Sequence, residues 1–153
     1  MKKTKTLLWK NEDIPESQVR SIANSVFDEL KKNESFCLWL EGEMGAGKTR
    51  ITRDLLQLYG LSQKTTVPSP TYSLINEYEI HTDLFFHIDL YRVGSNIDIE
   101  DLGISSDRKT KGIIVEWPVA LIEQDILNPS HSLTITTTES KPHSRTYHFY
   151  AYH

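Results

Sequence analysis

Gly42-Glu43-Met44-Gly45-Ala46-Gly47-Lys48-Thr49 fits the phosphate-cradling pattern G-x-x-x-x-G-K-[ST] at every specified position. Its flanks supply the context such a match requires. Phe36-Cys37-Leu38-Trp39-Leu40 is a continuous apolar run of strand length, and Lys48 to Tyr59 reads as a helix that stops at Gly60, a favourable residue just past a helix end. A strand enters the loop and a helix leaves it. The glycines let successive backbone N–H groups turn toward one point, an anion nest at the positive end of that helix. A nucleoside triphosphate is the natural occupant. Glu43, Met44, Gly45, Ala46, Gly47, Lys48 and Thr49 are therefore the expected phosphate-binding residues, with Lys48 reaching the β- and γ-phosphates as a point charge and the Thr49 hydroxyl taking one position around Mg2+. A glycine-rich turn capping an ordinary helix is the competing reading, and the strand and helix on either side weigh against it.

Working outward toward the start of the chain, Val19, Ile22, Ala23, Val26 and Leu30 recur at helical spacing, with Arg20, Asn24 and Asp28 on the other side. Asp13 or a neighbour is the expected cap of this helix, with Pro15 in its first turn, and Thr6 to Trp9 reads as a weak first strand. Downstream, Pro68 and Pro70 stiffen the segment Thr65 to Thr71. Tyr72 to Ile80 and Leu84 to Leu90 read as an antiparallel hairpin, and Ile99 to Leu102 as a short helical turn at most. Gly112 to Trp117 is a buried strand that ends at Pro118, and Val119 to Leu127 is predicted to be helical. Leu133 to Thr137 and Thr146 to Tyr152 close the chain as strands, the latter alternating Tyr147, Phe149 and Ala151 against His148, Tyr150 and Tyr152. The sum is an α/β fold over residues 1–153: a single-domain P-loop NTPase with a mixed central sheet flanked by helices.

Two acidic residues end apolar runs. Asp89 follows Leu84-Phe85-Phe86 and Ile88, where a carboxylate is costly unless paired, and a magnesium ion or its bound water would pair with it. The alternative is an ion pair with Arg92 or the capping of a turn. Glu116 ends Ile113-Ile114-Val115 in the same way; it holds magnesium through water, orients the attacking water as a general base, or forms a structural salt bridge. Thr49, Asp89 and Glu116 are thus the candidate metal residues, and Asp89, Glu116 and Thr71 the candidate catalytic ones. Thr71 starts a strand where a hydroxyl could reach the γ-phosphate or metal, or it is simply a β-branched residue at a strand start. Arg145 is either a phosphate contact or a solvated surface group. His87 lacks a histidine partner at ligand spacing and is read as a satisfied core residue.

Composition bounds the partners. The chain has 153 residues, of which 38% are hydrophobic and 25% charged, which describes a soluble globular domain. A net charge of −4, with no cationic cluster beyond Lys2-Lys3, argues against a broad autonomous nucleic-acid face. Any connection to RNA would come through a partner. Cys37 lies within an apolar strand and reads as a small buried thiol. Leu7-Leu8-Trp9 is too short for a signal peptide or a membrane span, so a cytoplasmic protein without membrane association is expected.

The order of motifs is more specific than any one of them: the phosphate loop, Ser69-Pro70-Thr71-Tyr72, Asp89-Leu90-Tyr91-Arg92, Glu100-Asp101-Leu102-Gly103, and Ile114-Val115-Glu116-Trp117-Pro118. Over Phe36 to Pro118 this resembles the bacterial TsaE (YjeE) ATPases. The resemblance implies an ATP- and Mg2+-dependent ATPase needed to make threonylcarbamoyladenosine at position 37 of tRNA, acting with TsaD and TsaB and meeting tRNA only through that complex. It also implies phosphate and magnesium binding by Lys48 and Thr49, essential acids at Asp89 and Glu116, a switch-like loop at Thr71, and a wall or partner contact at Trp117.

A small-molecule kinase is the main competitor, but it needs an acceptor pocket and a lid, and Asp107 to Lys111 is too short and too poor in arginine to make one. A GTPase would carry Asn-Lys-x-Asp, which is absent. A nucleotide-gated binding module, in which ATP orders the Ser69-Pro70-Thr71 loop, overlaps with the ATPase reading. With no arginine finger in the core motifs, slow hydrolysis by the chain alone and stimulation by partners are expected.

Overall fold

A computed structural model describes residues 2–93, 97–104 and 109–153. Among these the apolar patterning resolves into strands β1 (Lys5–Pro15), β2 (Phe36–Gly42), β3 (Ile75–Ile80), β4 (Asp83–Asp89), β5 (Thr110–Glu116), β6 (His131–Thr138) and β7 (Lys141–Tyr152), and helices α1 (Val19–Leu30), α2 (Lys48–Tyr59) and α3 (Val119–Gln124). All the strands join one mixed sheet in the order β1-β7-β6-β2-β5-β4-β3. The central strands β6, β2, β5 and β4 are parallel, whereas β1, β7 and β3 pair antiparallel at the margins.

The period-2 alternation of the strands splits the core into two layers. Leu38, Leu40, Phe85, Ile114, Leu133, Tyr147 and Phe149 face α1 and α2. Trp39, Phe86, Ile88 and Val115 face the other way, against Leu121 of α3. In α1 the buried residues are the five that the helical spacing predicts. Helix α2 opens at Gly47, held at φ 106°, and closes at Gly60, after which Leu61 N–H bonds the Leu56 carbonyl at 2.9 Å.

Several boundaries differ from the sequence reading. Strand β1 runs well beyond Thr6–Trp9 because two register shifts let it follow β7 as far as Pro15. Asp13 is not a helix cap: it sits at φ 53° within β1 and accepts from Lys141 at 2.8 Å. Pro15 is extended, and α1 is entered through a 3-10 turn at Glu16–Gln18. Trp117 adopts φ 58° and lies outside β5, and α3 ends three residues early because Asp125 turns left-handed at φ 54°. Ile99–Leu102 forms the short helical turn expected. Asp107 and Arg108, within the segment considered as a lid, lie outside the described residues.

Candidate functional site

Because β2, β5 and β4 run parallel, their C-terminal ends meet at one edge of the sheet. The phosphate loop leaves β2 there, Glu116 ends β5, and Asp89 ends β4. Asp89 and Glu116 are register partners, and each is only 3% exposed. A cavity of about 390 Å³ opens over them, lined also by Gly45, Gly47, Lys48, Thr49, Ser69, Thr71 and Trp117.

Each side chain is held by named neighbours. Lys48 Nζ donates to the Gly42 and Glu43 carbonyls at 2.7 and 2.9 Å and lies 4.2 Å from the Trp117 ring centroid. Burial pushes the Lys48 ammonium below its usual range, and the charges of Glu116 and Asp89 oppose that shift. Thr49 Oγ1 donates to the Glu116 carboxylate, 3.2 Å from Oε1 and 3.1 Å from Oε2. His87 Nε2 meets Glu116 Oε2 from the interior. Asp89 Oδ2 accepts from Ser69 Oγ at 2.6 Å and Thr71 Oγ1 at 3.1 Å, and its Oδ1 accepts from Tyr91 N–H at 2.9 Å.

The structure therefore brings Lys48, Thr49, Thr71, Asp89 and Glu116 into one cleft. Thr71 arrives there differently from the reading above: it lies in a turn, and β3 begins only at Ile75, after Leu74 takes φ 67° and bonds back to the Pro70 carbonyl at 2.7 Å. Arg92 does not pair with Asp89; its guanidinium sits 4.3 Å above the Tyr72 ring. Turn capping by Asp89 is realised, through Tyr91. His87 is fully buried, as a core histidine should be, but it is not fully satisfied: Nε2 meets Glu116 and Nδ1 has no partner among the described residues. Ser69 was missed as a site residue, although its place two residues before Thr71 in a proline-fixed loop was the available signal.

Arg145 is half-buried beside the loop. Its guanidinium donates to the Pro142 and Ser144 carbonyls at 2.7 and 3.0 Å and reaches Gly45 O at 3.5 Å. A second cavity of about 140 Å³, lined by Glu16, Gly45, Ala46, Arg50, His143 and Arg145, shares the loop glycines with the first. Cys37 donates to the Leu127 carbonyl, and burial pushes its thiol up to about 12.

Two buried carboxylates with adjacent hydroxyls form an all-oxygen donor set that suits magnesium, a hard cation. Among the described residues there is no group of three or more His, Cys, Asp or Glu side chains able to hold a metal alone.

The family described as threonylcarbamoyl adenosine biosynthesis protein TsaE matches residues 15–147. The chain belongs to the TsaE family. Among its curated TsaE relatives, each named a tRNA threonylcarbamoyladenosine biosynthesis protein, that of Haemophilus influenzae is 38% identical over 58% of this chain and 55% of the relative. The Aquifex aeolicus protein is 38% identical over 67% of this chain and 71% of its own length, and the Rickettsia felis one is 27% identical over 84% and 80%. The match thus spans a little over half the length of the Haemophilus relative. A solved structure of YdiB from Bacillus subtilus superposes with a TM-score of 0.63 at 22% identity, covering 99% of this chain and 88% of that one. The TsaE chain and this neighbour share the P-loop type of fold. No helix among the described residues is long and apolar enough to cross a membrane.

Proposed function

We propose that this TsaE-family chain binds and hydrolyses ATP with Mg2+ in support of tRNA threonylcarbamoyladenosine synthesis, working in the cytoplasm with TsaD and TsaB and meeting tRNA through them. The observation that carries this reading is the buried register pair Asp89 and Glu116, set beside a phosphate loop whose Thr49 already bonds Glu116. In it, the N–H groups of Glu43, Met44, Gly45, Ala46 and Gly47 and the start of α2 cradle the phosphates, and Lys48 exchanges its two carbonyl partners for phosphate oxygens.

Thr49, Asp89 and Glu116 would hold the metal between them, Thr49 through an oxygen lone pair while its O–H still donates to Glu116. A magnesium ion held there would supply charge neutralisation at the transferring phosphoryl group. Glu116 accepts a proton from the attacking water, and Ser69 and Thr71 fix Asp89 and couple the proline loop to the nucleotide. The second cavity, continuous with the loop glycines and edged by Arg145, receives the nucleoside.

Turnover of ATP with magnesium, measured for the chain alone and mixed with TsaB and TsaD, tests this. Slow hydrolysis alone and stimulation by the pair are expected. No stimulation, accompanied by phosphoryl transfer to an added small acceptor, would contradict it in favour of a kinase.

A further inference from the structure

Beneath Glu116 lies a histidine that phosphate-loop chemistry does not by itself require. His87 stands on β4 two residues before Asp89, opposite Ile114 of β5. Strand alternation puts its ring on the same face as Phe85 and Asp89, below the cleft. The ring is fully buried; Nε2 meets Glu116 Oε2, and Nδ1 has no partner among the described residues. A buried imidazole with one nitrogen unpaired costs stability that an apolar side chain between these strands would not. Its one polar contact is with the carboxylate that ends the neighbouring strand.

We infer that His87 is a positioning residue for Glu116: its Nε2–H donates to Oε2 and fixes the orientation in which the carboxylate meets the cleft. The inference rests on the reading of Glu116 as the group that orients water. An ionised carboxylate only accepts, so the contact places a proton on Nε2. Among the described residues the other side chain hydrogen-bonded to Glu116 is Thr49, which has a second task at the proposed metal, whereas His87 is fully buried and does not line the cleft. A general base must sit within hydrogen-bond reach of the water it activates, and a misplacement of about 1 Å costs on the order of a hundredfold.

Replacing such an outer partner lowers activity about 10- to 100-fold. His87→Leu should therefore reduce partner-stimulated kcat by that factor while affinity for a non-hydrolysable ATP analogue stays within about threefold. His87→Gln, whose amide nitrogen can reach Oε2, should recover most of the loss. The side-chain nitrogen resonances of His87 give a readout without turnover: the proton should be on Nε2, and Glu116→Gln should shift that signal. Unchanged hydrolysis in His87→Leu, parallel loss of binding and turnover in His87→Gln, or an Nε2 found without a proton would overturn the inference. If His87→Leu does not fold, as circular dichroism would show, His87→Gln and the resonances decide. A wild type that hydrolyses no ATP with its partners overturns the reading of Glu116, whereas the resonances still decide whether His87 holds that carboxylate.

Discussion

In the proposed function Glu116 and Lys48 divide the work of the cleft, the lysine by charge on phosphate and the carboxylate by its place beside the water. Glu116→Ala should therefore spare binding of a non-hydrolysable analogue, as read by calorimetric titration, more than it spares turnover, which should fall by about a hundredfold or more. Equal loss of both would remove the distinction. Cys37, with its thiol pushed up to about 12, should react with iodoacetamide at pH 8 at least about tenfold more slowly in the folded chain than in denaturant; equal rates would show an accessible thiolate. At this scale the sequence was most legible where chemistry constrains the residue type. Lys48 and Thr49 stand at motif positions, and Asp89 and Glu116 announce themselves as acids ending apolar strands. The contacts of His87, Ser69 and Arg145 were not legible, because each meets a neighbour distant in sequence: Glu116, Asp89 and Gly45 respectively.

Elements bring these residues together, and close packing between strands sets their tolerance. Gly112 of β5 is such a point: an added Cβ would stand 2.3 Å from the Phe36 ring of β2. Gly112→Ala should destabilise the chain by about 1–3 kcal/mol in urea unfolding, and an unchanged midpoint would show that Phe36 moves aside freely. Gly47 has open space for a Cβ, but its φ of 106° penalises any L side chain, so Gly47→Ala should weaken nucleotide binding more than it lowers stability. Comparing the analogue's affinity with the unfolding midpoint separates the two effects. Periodicity located α1, α2 and the parallel strands well, since their apolar residues repeat over a long enough span. It failed where non-local pairing or a single left-handed residue decides: the length of β1 comes from β7, and the ends of β3, β5 and α3 from Leu74, Trp117 and Asp125.

Across the whole molecule, the parallel strand ends collect every proposed catalytic group at one rim. Near that rim Tyr72 is 83% and Met44 69% exposed, both beside the cleft, so a partner docking there would touch the nucleotide-binding loops directly. Tyr72→Ala should accordingly reduce stimulation by TsaB and TsaD more than it reduces the unstimulated rate, and a proportional loss in both would place the contact elsewhere. The fold class was legible at this scale because one loop motif, flanked by a strand and a helix, implies the parallel centre; the order of the strands and the two-layered core were not, since they depend on pairings between residues far apart in the chain.

Calorimetric titration of magnesium and a non-hydrolysable ATP analogue into the wild type and Lys48→Ala tests the central claim most directly. Saturable one-to-one binding by the wild type, weakened at least about tenfold in Lys48→Ala, is the predicted result, since a buried charged contact to phosphate is worth about 1.5–3 kcal/mol or more. No binding by the wild type, or equal binding by both proteins, would contradict it.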